Sequence, residues 1–340
     1  MKTVILDLNG TPYENGKKAG QHFHQLVDYL KEEIKNLPKE ESFRKKCHEL
    51  LLKLKEEYPT YYEEVRGRAD GLEVDLDDYF CTLCPELRQV GVEKCTTIIA
   101  RKENGHYILS HNEDDFWIEN NFCISKVKID ENNWFMTNDM MNMPFGNGIS
   151  WNSYGILKCI NYTHHEDFNT DYLPRYFSQR HISEAHSIED LIERCKEMKI
   201  ASGYHVNAID INKKVAVSIE VYNDTIDVVH IDDSYVHSNH YIHGDYFNNQ
   251  RSDPGTNSLF RLEKGLELLK NSKRDKESIK KILDYRGPND SYHDSIFQKP
   301  GDYQMTIFNM TFDTETKEEV KVHVVVHDET IIFDYKLEVQ

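Results

Sequence analysis

The spacing of apolar residues divides the chain into a mainly helical first part and a mainly β remainder. A short strand is predicted at residues 3–8, and one long helical face follows it. Two further helices are predicted at 41–57 and 59–71, with Pro59 between them and Gly71 as a suitable C-terminal cap. The apolar positions that define the first helical face are Ala19, Phe23, Leu26, Val27, Leu30 and Ile34.

From Cys95 onward, the pattern predicts β-hairpins and turns as far as residue 163. A helix is expected at about 184–199, with Ser183 or Ser187 as its cap, and a β-meander follows it. Blocks of hairpins separated by helices predict a layered α+β fold, and adjacent hairpins favour antiparallel sheets. The chain is then expected to finish with two helices and a last β segment, the helices lying at about 257–271 and 276–284.

The first hairpin of the β part carries the densest group of reactive side chains. Its first arm runs from Cys95 to Ala100, and Asn104-Gly105 is a two-residue turn signal in which both positions would take positive φ. The second arm begins at Tyr107 and leads into an acidic tip, His111-Asn112-Glu113-Asp114-Asp115. The sequence therefore predicts a cysteine at one strand end and carboxylates returning beside it.

The net charge of the chain limits the classes of partner that it is expected to bind. A net charge of -18 over 340 residues repels phosphate backbones and anionic lipids, so neither nucleic acid nor a membrane is expected. Asp7 and Asn9 interrupt the apolar start, which argues against a signal peptide and predicts a cytoplasmic protein. Seven widely spread cysteines argue against a disulfide framework. Homo-oligomer formation is left open.

Cys95, at the start of a predicted strand, has two interpretations. If the bond before it is cut, the residue carries a thiol and a free α-amine, whose ordinary pKa of about 8 suits a base that activates the thiol. The alternative is an ordinary buried cysteine. Asn112 and Asp114 lie on the strand end beside the first arm, where a carboxylate either holds an ammonium group or orients a thiol, or else belongs to a solvated acidic turn. Asn161 and Asn239 either donate to an oxyanion or serve turn chemistry.

Two further spacings resemble metal or dithiol motifs. Cys81 and Cys84 form a CxxC pair in a probable helix, without a second pair at ribbon spacing. The His237, His240 and His243 group also has a metal-like spacing. The sequence contains no Walker loop, GxGxxG, GxSxG or HExxH motif. Neither a metal nor a cofactor is predicted.

Seven segments, in order along nearly the whole chain, together resemble the acyl-coenzyme A:6-aminopenicillanic acid acyltransferase family. They are GTPYENGKKAG, YPTYYEEVRGRADGLEVDLDDY, KCTTIIARKENGHYILSHNEDDF, NSYGILKCINY, VHSNHY, NSLFRLEKGLELL and TIFNMTFD. That family belongs to the N-terminal-nucleophile hydrolases, near the choloylglycine hydrolases and penicillin V acylases. The resemblance implies a four-layer αββα sandwich, with two antiparallel sheets between helical layers.

The resemblance also implies self-cleavage between Lys94 and Cys95. Residues 1–94 would remain bound as a small helical subunit, and residues 95–340 would form the catalytic part, the two together making one structural domain. The roles that the resemblance implies are nucleophilic attack for Cys95, holding of the nucleophile and its amine for Asp114, oxyanion stabilisation for Asn239, and oxyanion stabilisation or substrate positioning for Asn161.

Several positions depart from the pattern of the relatives. Lys94 stands where they usually have a small residue, and a larger one restricts a strained turn before the cysteine. His111 stands where choloylglycine hydrolases have an Arg and could supply a pH-dependent charge. Tyr303 lies near the position of an Arg in the acyltransferase. Arg261 matches a family Arg, or is a structural helix residue. His111, Tyr303 and Arg261 are the expected substrate-binding residues. The Met-rich loop 138–150 is expected either to line an apolar acyl pocket or to pack on the surface.

The preferred function is that of an amidohydrolase, which cleaves the linear C–N amide bond of a small, non-peptide N-acyl compound through an acyl-enzyme on Cys95. One alternative is an acyltransferase that takes its acyl group from coenzyme A or an amide, although the net charge of -18 argues against binding of the coenzyme phosphates. Another is an uncleaved, non-catalytic relative, for which Lys94 is the supporting feature.

Overall fold

A computed structural model describes most of the chain. The described residues are 5–88, 94–116, 118, 121–163, 168–244, 257–302, 304–315, 320–326 and 329–335, the last two ranges for the backbone alone. Tyr303, one of the predicted substrate-binding residues, lies outside them.

Residues 5–88 form one short strand followed by helices, as the apolar pattern predicts. Thr11 begins the first helix with a capping box, because its hydroxyl accepts from the Glu14 amide while the Glu14 carboxylate accepts from the Thr11 amide. The predicted helix at 41–57 is confirmed with the same limits. The elements are β1 (Ile5–Leu8), α1 (Pro12–Phe23), a 3-10 turn (His24–Leu26), α2 (Val27–Lys35), α3 (Glu41–Glu57), α4 (Pro59–Leu72), α5 (Leu76–Thr82) and α6 (Pro85–Arg88).

The glycine predicted to cap α4 has a different role. The helix continues past it, and Glu73 takes the left-handed conformation, with φ 58°. Gly71 instead lies where α4 crosses α1, because a Cβ atom there would sit 2.2 Å from the Lys17 carbonyl oxygen. At Gly67 a Cβ atom would lie 2.0 Å from the Tyr13 carbonyl oxygen. The two helix backbones are in contact, which no larger residue would permit.

The remainder of the described chain is rich in strands, with four further helices. Ser187 caps α8 by accepting from the Asp190 amide, which confirms one of the two predicted caps. The helices are α7 (Arg175–His181), α8 (Ile188–Glu197), α9 (Ser258–Lys270) and α10 (Lys276–Leu283). The strands are β2 (Lys94–Arg101), β3 (Tyr107–Asp115), β4 (Cys123–Lys128), β5 (Trp134–Asp139), β6 (Ser150–Asn152), β7 (Ile156–Tyr162), β8 (Gly203–Asp210), β9 (Val215–Tyr222), β10 (Thr225–His230), β11 (Ser234–His237), β12 (Met305–Asp313), β13 (Val320–Val326) and β14 (Glu329–Tyr335).

The strands form two sheets. The first has the order β1-β4-β5-β6-β7-β8-β9-β10, and the second has the order β11-β2-β3-β12-β13-β14. The pairs are antiparallel, as predicted, except for the parallel pair of β1 and β4. The strand β2, which contains Cys95, therefore lies inside the second sheet, between β11 and β3.

Three of the four apolar cores among the described residues join these elements into layers. One core packs α3, α5, α7 and α8 on the first sheet, a second fills the space between the sheets, and a third packs α9 and α10 on the second sheet. Side chains of β2 alternate between two of these cores, because Ile99 faces the first sheet and Ile98 faces α9 and α10. The layers thus run helices, first sheet, second sheet, helices.

The β2–β3 hairpin differs from its prediction in two respects. Gly105 takes a φ of 84°, but Asn104 does not take a positive φ, and the Gly105 amide donates to the Lys102 carbonyl in a longer turn. The expected acidic tip is not a turn, because β3 continues as far as Asp115. As a result Cys95 lies directly opposite Glu113 in the ladder, and Lys94 lies opposite Asp114.

Buried ion pairs connect the helices of residues 5–88 to the rest of the protein. The Arg68 guanidinium donates to Asp139 at 2.9 Å, and both side chains are almost fully buried. Arg180 pairs with Glu64 at 2.7 Å. None of the helices in the described part of the chain is long and apolar enough to cross a bilayer.

Candidate active site

Cys95 is buried, with 2% of its surface exposed, and both its backbone and its thiol are held. Its backbone N–H donates to the Asn239 side-chain oxygen at 3.0 Å. Its thiol donates to Glu113 Oε1 at 3.2 Å. Asn239 follows the end of β11, the strand that pairs with β2, so the two-strand register brings it to the nitrogen of the predicted cleavage site.

A chain of polar groups leads from the thiol into the space between the sheets. The second oxygen of Glu113 lies 3.1 Å from His111 Nε2, and His111 Nδ1 lies 2.8 Å from the Thr97 hydroxyl. That hydroxyl donates to Asn161 Oδ1 at 2.8 Å, which links the second sheet to the first. These residues share a face because each strand places alternate side chains on the same side.

The charge of His111 is decided by its neighbours. Burial alone lowers the pKa of this imidazole, but hydrogen bonding and charge interaction with Cys159 and Glu113 outweigh burial and raise the pKa to about 10. A protonated His111 donates to Glu113 and keeps that carboxylate beside the thiol as a hydrogen-bond acceptor.

Arg261 organises the opposite face of β2. It is fully buried in the first turn of α9 and donates to the Cys95 carbonyl at 2.6 Å and to the Thr96 hydroxyl at 2.8 Å. Its other terminal nitrogen donates to Asn239 Oδ1 at 2.6 Å. Because this oxygen accepts from a guanidinium, the orientation of the Asn239 amide is fixed, and its Nδ2 donates to the Tyr162 carbonyl at 2.9 Å.

Asp114 lies on the same face as Arg261 and is fully buried. One carboxylate oxygen accepts from the Thr306 hydroxyl at 2.6 Å, and the other has no hydrogen-bond donor among the described residues. Burial raises the pKa of Asp114 to about 6, although Arg261 and Thr306 both act to lower it. An under-satisfied buried carboxylate is costly and is typical of functional sites.

Lys94, on the amino side of the predicted cleavage site, is also completely buried. Its ammonium donates to the Tyr292 hydroxyl and lies 3.9 Å from the centre of the Tyr292 ring. Burial, together with the positive charge of Arg261, lowers the pKa of Lys94 to about 8. The Lys94 side chain is therefore packed inside the protein against Tyr292, a contact that the sequence alone does not predict.

A small cleft opens onto the thiol. The loop 138–150 supplies one wall, which places it at the pocket that was one of its two expected locations. Buried Lys158 donates to the carbonyls of Gly146 and Gly148 and so supports this loop from below. The lining residues include Glu113, Asp115, Asn138, Met140, Met143 and Tyr162.

The structure brings together most, but not all, of the residues that the sequence singles out. Asn239, Asn161, His111, Asp114 and Arg261 all lie around β2 near Cys95, as described above. The three histidines of the HSNHYIH segment do not form a three-ligand metal group among the described residues, although two of them share Glu220 as a partner. His237 contacts Glu220, His240 contacts Ser258, and His243 contacts Ser218 and Glu220. Cys81 and Cys84 are buried free thiols.

Glu113 and Thr97 are the site residues that sequence reasoning missed. The signal lies in the ladder register, since Glu113 is directly opposite Cys95 and His111 is directly opposite Thr97. Cys95, His111 and Glu113 also form the one group in the described part of the chain that offers three metal-ligand atoms within 4.8 Å of one another. Hydrogen bonds among the three account for their proximity without an ion.

A thiol that meets a carboxylate at the floor of a polar cleft is an arrangement suited to acyl chemistry. The chain belongs to the acyl-coenzyme A:6-aminopenicillanic acid acyl-transferase family, whose family model matches residues 100–326. This confirms the family that the sequence motifs indicate. The match begins within β2, after Cys95, and therefore does not itself include the cysteine.

The proteins similar to this chain include one curated relative and one solved structure. The beta-alanyl-dopamine/carcinine hydrolase of Drosophila melanogaster is 24% identical over 230 residues, which cover 58% of this chain and 58% of that protein, so the chain spans less than two thirds of its length. The structure of a mutant conjugated bile acid hydrolase from Clostridium perfringens is 13% identical, with a TM-score of 0.44 over 71% of this chain and 96% of that one.

Proposed function

We propose that the protein is a cysteine N-terminal-nucleophile amidohydrolase that cuts its own chain between Lys94 and Cys95. The observation that carries the proposal is the setting of Cys95, whose nitrogen is held by Asn239 while its thiol meets Glu113 at the cleft. Residues 1–94 stay bound as the small subunit, and residues 95–340 form the catalytic part. Helical layers outside two stacked sheets support assignment to the αββα sandwich of this superfamily.

In the mature enzyme the α-amine of Cys95 serves as the base. It takes the thiol proton as Sγ attacks the substrate carbonyl, and it returns this proton to the leaving amine. The acyl group is then held as a thioester on Sγ until water releases it. Asn239 Oδ1, 3.0 Å from the same nitrogen before cleavage, keeps the amine in place. Asp114, one of whose oxygens has no donor among the described residues, supplies a negative charge on the helix-facing side of the strand.

The oxyanion is assigned to Asn161 and Asn239. Nδ2 of Asn161 is buried and has no acceptor among the described residues, which supports a donor role. Nδ2 of Asn239 already donates to the Tyr162 carbonyl, so only its second hydrogen is available. Asn239 therefore has two tasks, since its oxygen also holds the amine.

The substrate proposed is a small amide whose acyl part carries an ammonium group. Glu113 and Asp115 both line the cleft, and two carboxylates favour a cation there. The hydrolase of Drosophila melanogaster supports this choice, because a β-alanyl amide has a free primary amine that is protonated near neutral pH. The same carboxylates and the net charge of -18 disfavour coenzyme A phosphates, so hydrolysis is preferred to transfer.

The substrate proposal predicts a preference between two matched amides. A β-alanyl arylethylamide should be cleaved with a kcat/KM at least about tenfold above that of the propionyl amide, which lacks only the amine. Asp115→Asn should reduce this ratio, whereas Asp130→Asn, an exposed substitution in the β4–β5 turn, should preserve it. Equal rates for the two amides in the parent enzyme would rule out the cationic substrate class.

Self-cleavage is tested by intact mass. The wild-type protein should separate under denaturing conditions into two pieces divided between Lys94 and Cys95, and Cys95→Ala should remain a single chain of 40.1 kDa. Turnover should be lost in the same variant, because no other thiol lines the described part of the cleft. If the wild-type chain stays whole and is inactive, the uncleaved binding protein becomes the better interpretation. Turnover in Cys95→Ala would exclude Cys95 as the nucleophile.

A further inference from the structure

Self-cleavage needs a base that the mature enzyme does not need. Before the Lys94–Cys95 bond is cut, the Cys95 nitrogen belongs to a peptide bond and cannot take a proton from the thiol. Some other group must accept it, since a neutral thiol is a weak nucleophile. The requirement follows from the proposed function, on which this inference rests.

Glu113 is the group in contact with the thiol. Its Oε1 lies 3.2 Å from Cys95 Sγ, within reach of direct proton transfer. The two residues are direct partners in the β2–β3 ladder, so the contact is fixed by strand register and not by a flexible loop. Only 13% of the Glu113 side chain is exposed, at the cleft.

Glu113 is held beside the thiol by a buried hydrogen-bonded support. His111 Nε2 lies 3.1 Å from its other oxygen, and Thr97 lies 2.8 Å from His111 Nδ1. His111 has no exposed surface, so bulk water cannot easily replace it as the partner of Glu113. A carboxylate whose two oxygens contact a thiol and an imidazole can receive the thiol proton without moving.

We propose that Glu113 is the general base of self-cleavage, with His111 as its positioning residue, and that the α-amine replaces Glu113 in this role once the bond is cut. This assigns two different bases to one nucleophile, one for maturation and one for turnover.

The proposed step balances as an N-to-S acyl shift. The thiol proton moves to Glu113 Oε1 as Sγ bonds to the Lys94 carbonyl carbon, and the carbonyl oxygen takes the negative charge. When the carbon–nitrogen bond breaks, the proton passes from Glu113 to the Cys95 nitrogen, which becomes an amine. The product is a thioester between Lys94 and Cys95. Water then hydrolyses it, which frees the Lys94 carboxylate and regenerates the thiol.

The test follows self-cleavage in real time during cell-free synthesis of the full chain, by intact mass. Glu113→Gln keeps the size of the side chain but cannot accept the proton, and it should slow cleavage by about 100-fold or more. Glu103→Gln is the matched control, because it makes the same change at an exposed position in the turn of the same hairpin and should cleave like the wild type. Cleavage of Glu113→Gln at the wild-type rate would overturn the inference.

Hydroxylamine identifies the step that is blocked. It cleaves thioesters, so it should not release residues 1–94 from Glu113→Gln if that variant stops before the acyl shift. Rapid release by hydroxylamine would show that the thioester forms without Glu113 and would contradict the proposal. If Glu113→Gln fails to fold, Glu113→Asp is used to test the base role. This variant keeps a carboxylate, so its self-cleavage rate should be within about tenfold of the wild-type rate. A complete block of cleavage in Glu113→Asp would count against a base role.

The role of His111 is tested by a double-mutant cycle. His111→Gln should slow cleavage less than Glu113→Gln, and the double variant should be no slower than Glu113→Gln alone, because His111 acts through Glu113. Additive losses would contradict this. The assay also separates the two proposals: a wild-type chain that never cleaves defeats the proposed function, whereas a wild type and a Glu113→Gln that cleave equally defeat only the inference.

Discussion

Arg261→Met should leave the chain uncut and lower the free energy of unfolding by about 3–5 kcal/mol, because it removes one partner of a buried charged network. The guanidinium donates to the Cys95 carbonyl, the Thr96 hydroxyl and the Asn239 side-chain oxygen. Methionine fills much of the space but donates to none of them. Asn239 then loses the contact that fixes its orientation. The Cys95 nitrogen in turn loses the acceptor that holds it.

The measurement separates stability from chemistry. Urea unfolding is compared between Cys95→Ala and Cys95→Ala/Arg261→Met, so that both proteins are uncut single chains, and self-cleavage is followed in Arg261→Met alone. Lys270→Met is the control, because it makes a similar change at an exposed position of the same helix and should shift stability by less than about 0.5 kcal/mol. A stable Arg261→Met that cleaves normally would make Arg261 a structural helix residue only.

Asp114→Asn should abolish most turnover while making the uncut protein more stable. Burial raises the pKa of Asp114 from 3.8 to about 6, so the folded state binds more protons than the unfolded chain between these values. Stability contributed by this group is therefore present at low pH and lost as pH rises through that window. Removing the carboxylate should stabilise the folded protein at pH 7 by about 1–3 kcal/mol, and the gain should disappear below about pH 4.

Two measurements are needed for Asp114. Unfolding of Cys95→Ala/Asp114→Asn and Cys95→Ala is compared at pH 4 and pH 7, and turnover is measured in Asp114→Asn alone, where a loss of about 100-fold or more is expected. Asp139→Asn is the comparison variant. Asp139 is a buried carboxylate that accepts from Arg68 and Ser125, so this substitution should lower the stability of the folded protein. A gain in stability without loss of turnover would remove Asp114 from the site.

The sequence predicts helices and strands correctly where neighbouring residues alone determine the local structure. The helix at 41–57 has a clear apolar face and ends before Pro59, so its limits are predicted correctly. Gly71 is the counterexample, because its function is set by contact with α1, which is distant in the chain. The Asn104-Gly105 signal predicts a hairpin correctly and its turn type incorrectly, since only Gly105 takes positive φ.

The sequence names most residues of the candidate site but not the contacts that join them. Cys95, Asp114, Asn161 and Asn239 stand out by residue type and position along predicted strands. Glu113 does not, because its importance depends on ladder register, and a shift by one residue would turn it to the opposite face. Burial of Lys94 against Tyr292 joins residues 198 positions apart, which no local pattern reveals.

The buried ion pairs between the helices of residues 5–88 and the later part of the chain affect how the cut protein would dissociate and unfold. If the bond before Cys95 is cut as proposed, refolding requires two chains to associate, and the free energy of the folded state then depends on protein concentration. Dissociation would leave Arg68 and Asp139 without each other and would expose the core they share. Under the proposed function, a single uncut chain would refold at a rate independent of concentration, whereas the two cut pieces would recover their fold more slowly as the protein is diluted.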